Sequence, residues 1–277
     1  MKRIVTIQDI SCVGKCSLTV ALPIISAMGV EASILPTAVL SAHTMFKNVS
    51  CKDLTDQIVP ITEHWKREQI AFDAIYTGYL GSFEQIDLMK QVFADFKTEN
   101  NVIFVDPAMA DHGKLYTGFD MDFARYMATL CGKADIIVPN MTEACFMTGT
   151  EYKESYDEVY VKDLLKRLSE LGAKISILTG VSLEEGKTGV MGYDSENNSY
   201  DYYSHKKLPV SFHGTGDIFS STCIGAMMNG LDWKEAVAVA ADYTTECIRI
   251  TLEDYDKPWY GVNFELAIPY LLKRLGK

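Results

Sequence analysis

Two kinds of hydrophobic pattern alternate along this chain. Short β-branched runs recur at residues 3–8, 33–37, 72–77, 102–106, 135–139 and 174–179. Most segments between them place their apolar residues at helical spacing, as in 16–28, 54–68, 83–97 and 158–171. The runs Val102-Ile-Phe-Val105 and Ile136-Ile-Val138 carry no polar face, the habit of strands buried on both sides in a parallel sheet covered by helices. After Thr188 the rhythm changes: residues 188–193 and 200–205, separated by Asp194-Ser-Glu-Asn-Asn198, predict a β-hairpin. Helices are predicted at 218–228, 233–251 and 264–275. No repeat, low-complexity tract or linker rich in Pro, Gly and Ser interrupts the alternation. The pattern therefore predicts a single α/β domain over residues 1–277.

Composition narrows the class. Of 277 residues, 48% are hydrophobic and 23% charged, which supplies a core and excludes disordered, collagen-like and coiled-coil chains. The formal charge of −11 argues against a nucleic-acid backbone as partner, since that contact needs clustered Lys and Arg. A local phosphate site remains compatible with it. Residues 1–11 do not form a signal peptide, and the longest apolar run, 18–30, is too short for a bilayer and contains Pro23 and Gly29. The seven cysteines form no CxxC pair and have no His at zinc-ligand spacing. Reduced thiols in a cytoplasmic protein, with no membrane partner, are the expectation.

The C-terminal ends of the predicted strands carry Gln8-Asp9, Thr37, Thr77-Gly78-Tyr79, Asp106, Asn140-Met-Thr-Glu143 and Thr179-Gly180. Those ends line the ligand crevice of an open parallel sheet, and so many polar residues there point to an enzyme site. Two stretches imitate a phosphate loop. In Gly180-Val-Ser-Leu-Glu-Glu-Gly186-Lys187-Thr188, five residues separate the glycines where four are required, and a strand follows instead of a helix. Gly14-Lys15-Cys16-Ser17 does join a strand to a helix, but Asp9 stands where the leading Gly belongs and Cys16 where the magnesium-binding hydroxyl belongs. Neither is a phosphate loop of that type.

Phe212-His-Gly214-Thr-Gly216-Asp217 enters the helix predicted from Ile218. Glycines let the backbone approach a ligand, and the helix N-terminus offers unsatisfied N–H groups to an anionic oxygen. Asp217 at that rim suits either an N-cap or a base that takes the proton of an attacking hydroxyl. Asp106 and Glu143 have the hard oxygen donors that Mg²⁺ prefers, directly or through water. Asn140 and Glu143 suit helix capping equally, and Asp111 in Asp111-His-Gly-Lys114 suits a plain turn.

These residues carry a resemblance. Gly214-Thr-Gly-Asp217, Asp106-Pro107, Pro139-Asn140-x-x-Glu143 and Thr179-Gly180 match, in order and spacing, the ribokinase superfamily. Ser41-Ala-His43-Thr44 and Thr77-Gly78-Tyr79 are similar to the motifs of its pyridoxal kinase branch. The likeness runs from Ile7 to the helix after Asp217. It implies a ribokinase-like three-layer α/β/α sandwich on a mostly parallel central sheet, without a separate lid domain. It further implies a kinase that moves a phosphoryl group from ATP, with Mg²⁺, to the 5′-hydroxymethyl group of a B6 vitamer (pyridoxal, pyridoxamine or pyridoxine) in the salvage of pyridoxal 5′-phosphate. By resemblance Asp217 is the general base, and Gly214, Thr215 and Gly216 stabilise the transferring group through backbone N–H groups. Asp106 and Glu143 organise the metal, Asn140, Thr179 and Gly180 bind nucleotide, and His43, Thr44 and Tyr79 surround the pyridine ring. A homodimer is implied as well, and a monovalent cation is left open.

One position departs from the branch. Asp9 follows Ile7-Gln8 where related kinases have Ser, with Ser11 two residues on. Either side chain suits the polar edge of the ring, and Asp9 also suits capping of the next helix. A carboxylate there favours a pyridinium. The alternatives are a hydroxymethylpyrimidine (thiamin-precursor) kinase of the same fold and a catalytically silent vitamer-binding paralogue. Against the first, Cys12-Val-Gly-Lys-Cys16 replaces the Gly-rich loop typical of those kinases; against the second, a pure binder has no need of Asp217.

Overall fold

The first β-branched run forms strand β1 (Arg3–Ser11), three residues longer than its apolar pattern predicts. The extension holds because backbone pairing continues past the apolar residues, with Ile10 opposite Val39 and Ser11 opposite Leu40 across an irregularity after Gln8. Asp9 and Ser11 are thereby carried into the interior as strand residues. This computed structural model describes residues 1–210 and 212–277, divided into one unit of residues 1–78 and 208–277 and another of residues 79–207.

In the first unit, β1 leads into α1 (Leu18–Ala27), β2 (Glu31–Leu40), β3 (Cys51–Asp53), α2 (Thr55–Arg67) and β4 (Ala74–Thr77). The strand order is β4-β1-β2-β3. β1 lies parallel to both β4 and β2, and β3 runs antiparallel to β2. Three residues long and exposed, β3 gives no alternation to detect in sequence.

The second unit begins with α3 (Phe83–Phe96), β5 (Val102–Val105), the small hairpin β6 (Ala110–Asp111) and β7 (Lys114–Leu115), and α4 (Met121–Cys131). It continues with β8 (Ile136–Ile137), α5 (Met141–Thr148), α6 (Glu158–Glu170) and the strands β9 (Ile175–Val181), β10 (Lys187–Asp194) and β11 (Ser199–Lys206). The order here is β5-β8-β9-β10-β11, parallel as far as β9 and antiparallel after it. The hairpin predicted from residues 188–205 is β10–β11.

The chain then re-enters the first unit as α7 (Thr215–Met228), α8 (Trp233–Glu253) and α9 (Phe264–Arg274). α7 is buried along Ile218 to Ala226 and packs against α1, α8 and β4. Ile4, Ile7, Ile24, Ile25, Leu35 and Ile75 are fully buried in this unit. The buried Tyr243 donates its hydroxyl proton to the Phe264 carbonyl at 2.9 Å, fixing α9 on α8. The expected α/β class with mostly parallel strands is the observed one. Among the described residues no helix is long and apolar enough to cross a membrane.

Candidate active site

In the first unit the end of β1 and the turn after it enclose a buried carboxylate. Asp9 accepts hydrogen bonds from the hydroxyls of Ser11 at 2.9 Å and Ser17 at 2.5 Å. Ser17 is the N-cap of α1, yet its φ of 51° lies in the left-handed region and its side chain caps nothing. Asp9 thus grips the residue before the helix by its hydroxyl, rather than capping backbone N–H groups itself. Ser11 and Asp9 are bonded to each other and act as one group. Cys16 lies among them: burial first, then the charges of Asp217 and Asp9, push its thiol up to about 12, against the hydroxyls of Ser11 and Ser17. That thiol stays neutral. His43 is half-buried, and its Nδ1 accepts the Met45 N–H at 3.2 Å, which leaves the proton of the neutral ring on Nε2. Burial and His213, whose ring centroid is 5.2 Å away, hold the His43 imidazole below its ordinary value, while Asp9 opposes them. Thr44 is exposed in the turn that follows.

The Gly214-Thr-Gly-Asp217 turn opens α7. Gly214 is the N-cap, at φ 80°, and Asp217 lies in the first helical turn, so Asp217 is not the cap that its position suggests in sequence. Glycine is required at 214 twice over. The left-handed φ disfavours any side chain, and a Cβ there would lie 1.7 Å from the Lys15 carbonyl oxygen. Thr215 fastens the turn by donating its hydroxyl to the Phe212 carbonyl at 3.1 Å, and Gly216 is exposed with open space around it. The first unit therefore brings together Asp9, Ser11, Cys16, His43 and Asp217, with the N-terminus of α7 behind Gly214.

The second unit holds the other predicted residues. Asn140 and Glu143 form a capping box at α5. Asn140 Oδ1 accepts from the N–H groups of Thr142 and Glu143, and Glu143 Oε2 accepts from the Asn140 N–H at 2.9 Å. Glu143 Oε1 also takes the Met109 N–H at 3.0 Å, and Asn140 Nδ2 donates to the Ala110 carbonyl at 2.7 Å. Both side chains are thus tied to the β6 segment. Glu143 is 2% exposed, and burial with the neighbouring Asp106 charge pushes its carboxyl up to about 8, against the three N–H donors that favour its ionised form. Asp106 itself is buried at the end of β5 and accepts the Ala108 N–H at 3.2 Å. A buried carboxyl raised by burial and by a second carboxylate beside it suits a divalent cation, whose charge would favour its ionised form. Asp111 lies at the β6–β7 turn, where it accepts the His112 N–H and its other carboxylate oxygen lies 3.5 Å from the His112 ring.

Thr179 donates its backbone N–H to the Pro139 carbonyl at 3.0 Å, which sets it beside Asn140. Gly180 is left-handed and open to solvent, and the Tyr156 hydroxyl donates to its carbonyl at 3.3 Å while accepting the Ser182 N–H. Asn140, Thr179 and Gly180 therefore form one rim. Lys187 of the rejected phosphate-loop look-alike pairs with Glu184 at 2.7 Å. Tyr79 opens this unit against Phe119, ring centroids 5.7 Å apart. Lys15, Ser17 and His213 have contacts that no motif assigns. His213 stood next to a noticed glycine, and Ser17 stood inside a look-alike, so adjacency was the available signal for each.

Most of the chain is similar to known proteins. A family model described as phosphomethylpyrimidine kinase matches residues 21–258. A Bacteroides thetaiotaomicron protein described as a phosphomethylpyrimidine kinase, solved in an orthorhombic form with pyridoxal, is 38% identical, with a TM-score of 0.92 over 98% of this chain and 95% of its own. Pyridoxal kinase from Lactobacillus plantarum is 28% identical, with a TM-score of 0.89 over 99% of this chain and 97% of its own. The pyridoxal kinase of Dictyostelium discoideum is 24% identical over 80% of this chain and 77% of its own length.

Proposed function

Because the chain belongs to the phosphomethylpyrimidine kinase family, we propose that it transfers the γ-phosphoryl group of ATP to the 5′-hydroxymethyl group of a B6 vitamer. The observation that supports this is Asp217 in the first turn of α7, with Gly214 as the N-cap. A carboxylate there stands beside N–H groups that favour anionic oxygen, and is placed to take the proton of an attacking hydroxyl. The 38% identical Bacteroides protein, solved with pyridoxal, supports the choice of acceptor.

In this reading Asp217 removes the hydroxyl proton as the oxygen attacks phosphorus. Gly214, Thr215 and Gly216 present backbone N–H groups to the transferring phosphoryl oxygens. Asp9 with Ser11 meets the polar edge of the ring, with His43 and Thr44 in the same unit, and Tyr79 is given its ring-side role by the resemblance alone. Asn140, Thr179 and Gly180 form the nucleotide rim. Asp106 and Glu143 would hold Mg²⁺, directly or through water, with both Glu143 oxygens also accepting N–H groups. Bound there, the ion would neutralise charge on the phosphate oxygens. A single kinase domain, the cytoplasm, a homodimer and any monovalent cation accompany this reading on the resemblance alone.

The second reading, hydroxymethylpyrimidine phosphorylation, is favoured by the family description itself. Turnover with ATP and each of pyridoxal, pyridoxamine, pyridoxine and hydroxymethylpyrimidine, read as phosphorylated product by mass, separates the two. Preferred turnover of the pyrimidine would replace the vitamer reading, and no turnover of any alcohol would leave a binding protein.

A further inference from the structure

The turn Gly14-Lys15-Cys16-Ser17 has the outline of a phosphate loop and a lysine in the right place, but that lysine faces another duty. Its Nζ lies 2.6 Å from both carboxylate oxygens of Glu265 and 5.2 Å from the centroid of the Phe264 ring. Only 17% of the side chain is exposed. We propose that Lys15 is a positioning residue, which sets the aim of the Gly214–Asp217 N–H groups through its backbone carbonyl and is itself held in place by Gly261 and Glu265. The inference rests on the phosphoryl-transfer reading of the Gly214 turn.

Three contacts grip Lys15 from different sides. Its carbonyl oxygen fills the space where a Cβ at Gly214 would stand, at 1.7 Å. Its own Cβ and Cγ fill the space of a Cβ at Gly261, at 2.2 and 2.7 Å. Its ammonium is fixed to the first turn of α9 by Glu265. The two ends of the turn are tied as well. Thr19 Oγ1 reaches the carbonyls of Gly14 and Cys16 at 3.2 and 2.7 Å, and Asp9 holds the Ser17 hydroxyl. At Gly214 the Lys15 carbonyl lies directly on backbone, and at Gly261 the base of the Lys15 side chain does, so a shift of the Lys15 backbone meets Gly214 with no side chain between them. It passes directly to Gly214. Donors at a helix N-terminus help a transition state only when aimed, and a displacement of about 1 Å can cost about 10²-fold in rate.

The cleanest push comes from Gly261→Ala, which adds one methyl against Lys15 at a residue outside the catalytic and binding machinery. We expect kcat to fall about tenfold or more, with KM for pyridoxal and for ATP within about twofold, because the aim of the cradle changes and the pockets do not. Glu265→Gln removes the charge that holds the ammonium, and Lys15→Met removes the ammonium itself, while each keeps a side chain of similar size. Each should lower kcat about threefold, and the double variant should be no worse than the poorer single one. Hydrogen–deuterium exchange of the peptide covering residues 212–218 should quicken in all of them, normalised to the folded fraction by circular dichroism. Wild-type kcat and exchange in Glu265→Gln, whose site of change is half exposed and which therefore folds even if Gly261→Ala does not, would overturn the proposal. So would a rise in vitamer KM with kcat intact. If the wild-type chain phosphorylates no alcohol while Glu265→Gln still quickens exchange, the functional reading falls and the positioning role stands.

Discussion

The bond between Asp9 and Ser11 makes a quantitative prediction. Treated as separate residues, the two are rivals for one edge of the substrate ring; joined at 2.9 Å, with 5% and 2% of their surfaces exposed, they are one device. A hydrogen bond to a buried charged group contributes about 1.5–3 kcal/mol. A double-mutant cycle on Asp9→Ser and Ser11→Ala should therefore show a coupling of about 1.5–3 kcal/mol, well above the 0.3–0.5 kcal/mol scatter of independent sites. Asp9→Ser is the harsher single change, since it also leaves the Ser17 hydroxyl, 2.5 Å away, without its acceptor. Ser17 then loses its hold at φ 51°, a conformation that costs a non-glycine residue of order 1 kcal/mol. Urea unfolding gives the stability arm of the cycle. Steady-state kinetics with pyridoxal between pH 6 and 9 gives the functional arm, where 1.4 kcal/mol is about tenfold in kcat/KM. Additive losses in both arms would refute the single-device account. Coupling in stability with unchanged KM and pH profile would confine Asp9 to holding the turn after β1 and remove it from the ring.

Asp217→Asn should keep ATP affinity and lower kcat by about 10²–10⁴-fold, the usual range for a lost general base; calorimetry and initial rates check it, and near-normal turnover would return Asp217 to a purely structural place in α7. Burial and the Asp106 charge raise the Glu143 carboxyl to about 8, so the folded chain keeps a proton that an unfolded glutamate, with its ordinary value of 4.5, gives up. That contribution to stability is complete below pH 4.5 and is lost as pH rises through about 8. The thermal midpoint should accordingly decline toward pH 8, Mg²⁺ should oppose the decline, and Asp106→Asn should flatten it; an unchanged slope in that variant would show that the charge beside Glu143 is not its cause. Lys187→Ala should leave ATP affinity within about twofold, because its ammonium is paired with Glu184 on the surface and the glycine spacing cannot wrap phosphates. Loss of ATP binding in a direct titration would contradict this.

How far the chain could be read in advance depended on the range of the interactions involved. Periodicity located the long helices and the buried strands, because burial on a face repeats within a few residues. It did not single out α4 or α5, which end at Gly132 and Gly149. The Asn140–Glu143 spacing did announce the start of α5, since a capping box is a local bond between residues three apart. The same spacing was also the metal and nucleotide motif, and both uses hold the same two side chains. A local motif can show that a carboxylate is present, but not how many of its oxygens already accept N–H groups from Met109 and Ala110, more than thirty residues away.

Lys15 and His213 share one property: each is defined by a partner far along the chain. Lys15 looked like a failed phosphate lysine because sequence shows its neighbours Gly14 and Cys16, whereas its function in the fold is set by Gly214, Gly261 and Glu265, about 200 residues or more away. Glycine hides such contacts especially well. At Gly214 and Gly261 what matters is the atom occupying the space a Cβ would take, and a sequence records only that no Cβ is there. A glycine that conducts position between two backbones leaves no pattern in hydropathy or charge, so rejecting the phosphate-loop motif left the lysine it touches without a role. Its place follows only when both partners are taken together, and the carbonyl of Lys15 in the empty corner of Gly214 is such a pair.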